Sequence, residues 1–348
     1  FHWHEHPNCK ITGVTDLIPE LRENLKKYYQ CDQVYGSLEE MIQKSRDIDV
    51  VAVFSGGNRH AQHAKMCMEN GWHVIVACPA CFTLEEAALL KEVKERTGMK
   101  YMMAESSYWR PESIFARNLY REGAFGELVY TECEYYHDIN RESIRNGTNW
   151  VYKNITPGDT KPWRWGLPMM MYPTHALSYV VGISKERITK VSSLGWGDDS
   201  LWCTDNLYKN PFYNEASIMR TNKGHICRCN GFLITKSEGE RANWLGTDLS
   251  LYMPNPGVHG AVQIPGGEVQ IPNYVETSDM IPEQMKHASG HGGSAVFISA
   301  EIINTLLEDR EPQPDLYESL AMTVPGIVAF QSSLKDGEQL PVPQFDPS

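Results

Sequence analysis

The first third of the chain alternates between short apolar runs and amphipathic segments. Residues 50–54 form an apolar run bounded by polar residues, which is typical of a strand buried on both faces. Residues 61–68 place alanine, methionine and cysteine among polar residues, which predicts a helix ending at Gly71. A second apolar run at 73–77 predicts the next strand. Together these segments predict a βαβ unit with parallel strands.

The same alternation continues on both sides of this unit. The pattern predicts strands at 10–15 and 100–105 and helices at 19–29, 83–97 and 112–122. Alternating helices and strands are the mark of a parallel sheet with helices on both faces. The sequence therefore predicts a doubly wound α/β domain over residues 1–123.

The pattern changes after residue 124. Residues 128–136 alternate between apolar and polar positions, as in an open antiparallel sheet. We expect a helix at 174–181, and a long loop at 254–282 because Pro and Gly are frequent there. The pattern predicts further strands at 188–195, 216–221, 225–234 and 249–253, and closing helices at 294–307 and 314–334. Residues 124–348 are therefore predicted to form an α+β domain with a large, mostly antiparallel open sheet.

Composition narrows the classes of function. A chain of 348 residues is too long for one small core, which agrees with two domains. A net charge of −12 argues against a nucleic-acid partner, and no apolar run is long enough to cross a membrane. Nine scattered cysteines favour a reducing compartment, so we expect a cytoplasmic protein. No metal ligand set is recognisable.

The carboxyl ends of the predicted parallel strands carry the candidate ligand-binding residues. In such sheets a ligand lies in the crevice beyond these ends. The turn after residue 54 brings Ser55, Gly56, Gly57 and Asn58 there, followed by His60, and the next strand brings Cys78 and Pro79. Asp16 ends the first predicted strand, where an acid accepts hydrogen bonds from the ribose of a dinucleotide. The alternative is that Asp16 only begins a turn.

These residues resemble the Gfo/Idh/MocA oxidoreductases. The resemblance rests on His60, on the helix end at 71–74 and on Pro79, which matches the last residue of the family's Glu-Lys-Pro. The first two residues of that motif are replaced by Ala77 and Cys78, so the family's substrate-binding lysine is absent. The resemblance implies NAD as cofactor, and NADP is disfavoured because no arginine directly follows Asp16.

The family's architecture adds two expectations. Its first strand and Gly-x-Gly-x-x-Gly loop have no counterpart in this chain, and we expect them to precede residue 1. Its second domain commonly assembles into homo-oligomers through the open sheet.

A closer resemblance is to the NAD-dependent N-acetylgalactosaminidases of this family. Four separated motifs carry it, at 102–105, 135–138, 172–175 and 291–293. The resemblance implies that His175 is the catalytic acid or base, with Tyr135 or Tyr172 as relay, although Met171 replaces the customary aspartate. Because His175 begins a predicted helix, we expect its pKa to be lowered. The remaining candidates for substrate binding are His137, Asp138, Trp109, Arg164 and His291.

Several residues admit a second interpretation. Glu105 ends a strand at the crevice and is a candidate base or ligand for the nicotinamide ribose, but it could equally pair with Arg110. Cys78 and Cys81 form a Cys-x-x-Cys, which suggests a redox pair, whereas the family alignment makes Cys78 part of the floor under the nicotinamide. The tryptophans could stack on a sugar or lie in the core, and they are Trp109, Trp163, Trp165 and Trp196.

We therefore expect an NAD-dependent oxidoreductase that acts on a hydroxyl of a sugar or glycoside, at ring carbon 3. One alternative is an NAD-dependent glycosidase that continues from oxidation to elimination and hydration. A second alternative is a catalytically silent protein that binds sugar or NAD, since the lysine, the aspartate and the glycine loop are absent.

Overall fold

A computed structural model of the chain describes residues 1–153 and 155–348. The first part alternates strictly between strands and helices. Its strands are β1 Gly13–Thr15, β2 Gln33–Tyr35, β3 Val50–Val53, β4 His73–Val76 and β5 Tyr101–Met103, and its helices are α1 Pro19–Tyr29, α2 Leu38–Lys44, α3 His60–Glu69, α4 Leu84–Thr97 and α5 Pro111–Arg121.

Local chemistry explains where these helices begin and end. Thr83 accepts a hydrogen bond from the backbone amide of Glu86 and so caps α4, and Glu85 and Glu86 lie in its first turn. Gly98 ends the helix at φ +69°, a conformation that glycine adopts without strain. Ser37 caps α2 in the same way as Thr83 caps α4.

All strand pairs of the first part are parallel, as predicted. β1 pairs with β2, and β4 lies between β3 and β5. In the doubly wound dinucleotide fold, the second and third strands lie on one side of the first strand, and the fourth to sixth lie on the other. The pair β1 and β2 corresponds to the first of these groups, and β3, β4 and β5 correspond to the second. The expected Rossmann-like arrangement is confirmed.

The second part contains a nine-stranded sheet. Its order is β13-β12-β11-β10-β6-β9-β8-β7-β14, and of its pairs only β6 with β9 is parallel. The strands are β6 Leu128–Tyr136, β7 Ile188–Trp196, β8 Asn214–Thr221, β9 Ile226–Phe232, β10 Gly239–Gly246, β11 Ser250–Tyr252, β12 Ala261–Ile264, β13 Gly267–Gln270 and β14 Leu340–Pro341.

Helices cover one face of this sheet. The long helix α12 packs on β7 and also contacts α4, which joins the two halves of the molecule. The helices are α6 Arg141–Arg145, α7 Thr174–Leu177, α8 Val181–Ser184, α9 Leu201–Thr204, α10 Tyr274–Thr277, α11 Ser294–Leu307 and α12 Leu316–Ser333. None of the helices in residues 1–153 and 155–348 combines the length and the apolar character that a bilayer crossing requires.

Two predicted elements differ from the structure. The helix expected at 174–181 is two short helices, α7 and α8. The loop expected at 254–282 contains the hairpin of β12 and β13 as well as α10, and Gly266 at φ +92° makes its turn possible. The pattern also missed β10, which lies at the centre of the second domain.

Candidate active site

Glu105 follows β5 and lies beneath the crevice. Its side chain is fully buried. The backbone amide of Ser107 donates to Oε1 at 2.9 Å, and the thiol of Cys78 donates to Oε2 at 3.1 Å. These two contacts hold the carboxylate in one orientation.

His175 begins α7 and faces this carboxylate. Its Nδ1 lies 2.6 Å from Oε1 of Glu105. Nε2 has no hydrogen-bond partner among the residues that the structure describes. Because Nδ1–H donates to an ionised carboxylate, the neutral ring carries its lone pair on Nε2. The structure thus brings together two residues that the sequence suggested separately, and it leaves Nε2 available as a proton acceptor.

The predicted tyrosines flank this imidazole. The rings of Tyr135 and His175 are 4.8 Å apart, and those of Tyr172 and His175 are 5.2 Å apart. Burial raises the pKa of Tyr172 above its usual range, and the same cause raises that of Tyr135. Both hydroxyls are therefore neutral near pH 7 and can donate or accept a hydrogen bond.

Glu105 and His175 shift each other's pKa. Burial alone would raise the pKa of Glu105, but the charge and hydrogen bond of His175 lower it to about 2. Burial alone would lower the pKa of His175, but Glu105 raises it above its usual value. The expectation of a lowered His175 pKa was wrong, because α7 has only four residues and a carboxylate contacts the ring.

A second buried carboxylate, Glu240, lies beside the pair. Arg110 binds it through two hydrogen bonds of 2.9 and 3.0 Å, and the hydroxyl of Tyr179 donates to it at 3.0 Å. Ser107 donates to Glu240, and its Oγ is 3.3 Å from Nδ1 of His175. Ser107 therefore connects the two carboxylates. The suggested pairing of Glu105 with Arg110 is wrong, since Arg110 pairs with Glu240.

Removing one contact of Glu240 should measurably destabilise the protein. We expect Tyr179→Phe to lower the free energy of unfolding by about 1.5–3 kcal/mol, because it removes a buried hydrogen bond to a charged group. Tyr120→Phe is the matched control, since that hydroxyl contacts Lys223 at the surface; its effect should stay below about 0.5 kcal/mol. Denaturant unfolding of both variants measures this difference, and equal effects would contradict the contact's importance.

The turn His291–Gly293 approaches the same network. All three residues have positive φ, at +56°, +64° and +95°. A Cβ on Gly292 would lie 2.8 Å from Nη1 of Arg110, and the φ of +64° at this position favours glycine. Burial and the nearby charges of His175 and Arg110 lower the pKa of His291. This brings the fourth resemblance motif, 291–293, next to Arg110 and its network.

His60 joins the two loops that border the crevice. It is 1% exposed, and its ring nitrogens lie 2.8 Å from the carbonyl of Pro79 and 3.0 Å from that of Ser55. The ring therefore positions both loops from below. Burial lowers the pKa of His60, so the ring is neutral and donates to one of the two carbonyls only. Its direct contact with a cofactor stays a prediction.

Trp163 from the second domain covers the glycine turn. A Cβ on Gly57 would lie 2.7 Å from the indole and 2.9 Å from Phe82, and one on Gly56 would lie 2.9 Å from the indole. Arg164 stacks on the same indole at 4.2 Å. The two glycines are thus required by this packing, while the neighbouring Asn58 side chain is exposed.

Asp16 fits a dinucleotide in position and chemistry. It follows β1 directly, and its Oδ1 accepts a hydrogen bond from the amide of Ile18 at 2.8 Å. Arg22 donates to the backbone carbonyls of Asp16 and Gly36, not to a side chain. The contact with Ile18 is that of a turn, as the alternative interpretation has it, and a contact between this carboxylate and the ribose of NAD stays a prediction.

Two of the candidates for substrate binding, His137 and Asp138, follow directly after β6. His137 is partly exposed, and its Nδ1 lies 2.6 Å from Oε1 of Glu238. Its ring stacks with the ring of Tyr135. Asp138 contacts the amide of Asn140 and Lys236, so its carboxylate stabilises a turn.

Most of the candidate tryptophans are not at this site. Trp109 is 7% exposed and stacks on Phe297, and both line a separate cleft of about 590 Å³ that does not contain His175. Trp165 packs on Trp202 in the core, and Trp196 lies on the outer face of the sheet. Trp109 and Trp165 thus lie in packed regions, and Trp196 lies on the exposed face of the sheet. Of the four candidate tryptophans, only Trp163 borders the crevice.

The Cys-x-x-Cys does not form a redox pair. Cys78 and Cys81 are free and buried. Burial raises the pKa of both thiols well above the usual range. Both are therefore protonated near pH 7, whereas a redox thiol needs a lowered pKa.

Comparisons with known proteins bear on the family and the fold. Residues 1–105 match the family model described as "Oxidoreductase family, NAD-binding Rossmann fold", GFO_IDH_MocA. A glycosyl hydrolase family 109 protein from Shewanella sp. (strain W3-18-1) is 33% identical over 330 residues, covering 86% of this chain and 70% of the relative. Another from Streptomyces filamentosus is 24% identical, covering 97% and 73%.

Solved structures share the fold over almost the whole chain. Levoglucosan dehydrogenase in complex with NADH and levoglucosan has a TM-score of 0.78 at 17% identity, covering 97% of this chain and 91% of that one. Scyllo-inositol dehydrogenase from Lactobacillus casei has a TM-score of 0.73 at 14% identity, covering 97% and 94%. Taken with the motifs around His175, these matches establish that the chain belongs to the Gfo/Idh/MocA family of NAD-binding oxidoreductases, together with the glycosyl hydrolase family 109 proteins.

Proposed function

We propose that this protein oxidises a secondary hydroxyl group of a sugar or glycoside, at ring carbon 3, with NAD as the hydride acceptor. The observation that carries the proposal is the His175 imidazole, held through Nδ1 by buried Glu105, with Nε2 making no hydrogen bond to the described residues. The names of the structural neighbours, which are sugar and inositol dehydrogenases, support the substrate class.

His175 takes the hydroxyl proton in this proposal. Removal of a hydride from a carbon bearing a hydroxyl requires a base for the hydroxyl proton. Nε2 of His175 is the acceptor, and the Glu105 carboxylate stabilises the imidazolium that results. Glu105 itself does not serve as the base, because a pKa of about 2 makes it a weak one. Tyr135 and Tyr172 flank the ring and orient the hydroxyl or relay its proton.

The other residues bind and orient. NAD, when bound, accepts the hydride from the substrate carbon. Asp16 binds its ribose, and the Ser55–Asn58 turn and the Cys78–Pro79 segment border the nicotinamide. His137, Arg164 and His291 bind the sugar. We also propose that residues 1–123 form the cofactor domain and 124–348 the substrate domain.

An NAD-dependent glycosidase is the second candidate, and one observation favours it. The curated relatives are named glycosyl hydrolase family 109 proteins. Oxidation at carbon 3 acidifies the C–H at carbon 2, so a leaving group at carbon 1 can be eliminated, after which water is added and the hydride returned. The first step is the same in both candidates. A silent binding protein is the third candidate, and the intact Glu105–His175 pair argues against it.

One experiment separates the three. The full-length protein is incubated with NAD and a panel of free sugars and aryl glycosides, while reduced NAD and released aglycone are measured. A dehydrogenase forms reduced NAD in proportion to the substrate, whereas a glycosidase releases aglycone with NAD in catalytic amount. Neither signal on any substrate, with only a shift in melting temperature, would contradict the proposal and favour a silent binder.

We further propose that the protein is a homo-oligomer that assembles through the outer face of the sheet. Leu194, Trp196 and Ile218 are 58%, 49% and 51% exposed on that face. Contiguous exposed apolar residues mark an interaction surface. The free cysteines fit a reducing compartment, so we place the protein in the cytoplasm.

A further inference from the structure

A cluster of histidine and glutamate side chains lies outside the active site. Oε1 of Glu5 is 3.0 Å from Nδ1 of His2, and Oε2 of Glu5 is 2.6 Å from Nε2 of His287. These three residues offer ligand atoms that all lie within 4.8 Å of one another. Nε2 of His4 is 3.8 Å from the same carboxylate. Two segments far apart in sequence thus bring imidazoles and a carboxylate to one point.

Both segments are fixed by contacts that do not involve these rings. The amide of His2 donates to Oγ of Ser299 in α11 at 2.9 Å, and Trp3 is buried. On the other segment, Met285 is fully buried and its carbonyl accepts the amide of His287 at 2.9 Å. The backbone that carries the ligands is therefore held in place before any ion binds, which lowers the ordering cost of binding.

The contacts of His287 are those of a protonated or a metal-bound imidazole. Its Nδ1 lies 3.0 Å from the carbonyl of Ala288, and its Nε2 faces the Glu5 carboxylate. Both partners are acceptors only, and a neutral imidazole can donate from one nitrogen alone. Two arrangements satisfy both contacts: a protonated ring, or a metal ion on Nε2 with Nδ1–H donating to the carbonyl. The second is the usual arrangement of a metal-bound histidine.

We propose that His2, Glu5 and His287 bind a divalent transition-metal ion of the zinc class, with water as the fourth ligand. Two imidazoles with one carboxylate are a ligand set suited to Zn²⁺, Co²⁺ and Ni²⁺. The ion would replace the protons that now bridge Glu5 to the two rings. It would fasten residues 2–5 to the segment that runs from His287 into the His291–Gly293 turn, and so stabilise that turn.

Thermal unfolding with and without added zinc tests the site. One equivalent of ZnCl₂ added to chelator-treated protein should raise the melting temperature by at least about 2 °C, because an ion that binds only the folded state stabilises it. Co²⁺ in place of Zn²⁺ should give the visible absorption of a low-symmetry cobalt site. Neither measurement depends on enzymatic activity.

Two variants and a matched control locate the site. His287→Gln should abolish the zinc-induced shift and the cobalt absorption, and Glu5→Gln should weaken both. His259→Gln is the control, since His259 also contacts a glutamate, Glu112, but lacks a second imidazole; its zinc shift should equal that of the unaltered protein. Each variant is compared with itself in chelator, so a loss of intrinsic stability is not mistaken for a loss of binding.

Three results would overturn the proposal: no zinc shift in the unaltered protein, a shift that survives His287→Gln, or a shift that is lost equally in His259→Gln. The second would mean that the ion binds elsewhere. The third would mean that the shift reflects unspecific binding to surface histidines.

Discussion

Replacing His175 with alanine should lower turnover by roughly 10²–10⁴-fold, the range typical for loss of a general acid or base. In the proposed mechanism Nε2 of His175 accepts the proton, and no second imidazole among the described residues has a carboxylate partner of comparable burial beside Tyr135 and Tyr172. The measurement is turnover at saturating NAD and substrate.

The folded state of this variant must be verified. Its circular dichroism and melting temperature should show a folded protein, although Glu105 loses a partner. His259→Gln is the control, because His259 lies outside the site and should retain full turnover. Near-unchanged turnover in His175→Ala would remove this residue from the mechanism.

The second large effect is expected from Glu105→Gln, which keeps the shape of the side chain but removes its charge. Glutamine can donate its amide to Nδ1 of His175, which would place the ring proton on Nε2 and abolish its ability to accept a proton. By analogy with the loss of an orienting carboxylate in a catalytic triad, turnover should fall by roughly 10²–10⁴-fold.

The pH profile gives this variant a specific signature. A base must be neutral to act, so turnover should rise with pH through the pKa of His175. Glu105 raises that pKa, and its removal should lower it. The acidic limb of the residual activity should therefore move to lower pH in Glu105→Gln.

Cys78→Ala is the matched control for this pH shift. It removes another hydrogen bond to Glu105 but leaves the negative charge in place. Its acidic limb should stay where it is in the unaltered protein, with a smaller loss of turnover. An unshifted limb in Glu105→Gln would show that the carboxylate does not control the pKa of His175.

Much of the fold could be predicted because its elements follow simple patterns. The strand at 50–54 is apolar throughout, and α4 has a threonine cap, acids in its first turn and a glycine at its end. By contrast, β10 was missed because polar residues lie on both of its faces. Glu240 points towards the buried network and Arg241 pairs with Glu134 on the other side, so no period of two is visible.

Only part of the site could be predicted from the sequence. Strand ends and helix starts placed Glu105 and His175 near the crevice, but their contact depends on how the two domains pack. Arg110 is close to Glu105 in sequence, which made that pairing attractive, yet its partner comes from β10. Aromatic residues give no local signal of their role, so Trp109 in the core and Trp163 over the glycine turn could not be distinguished beforehand.

A single-turnover measurement tests the account most directly. The full-length protein in excess over a glycoside, with NAD, is followed by the absorbance of reduced NAD, using substrate with hydrogen or deuterium at ring carbon 3. The account predicts that reduced NAD forms, that it forms more slowly with deuterium, and that His175→Ala suppresses it. Formation at the same rate with both isotopes and in both proteins would contradict the proposal that His175 takes the proton while the hydride leaves carbon 3.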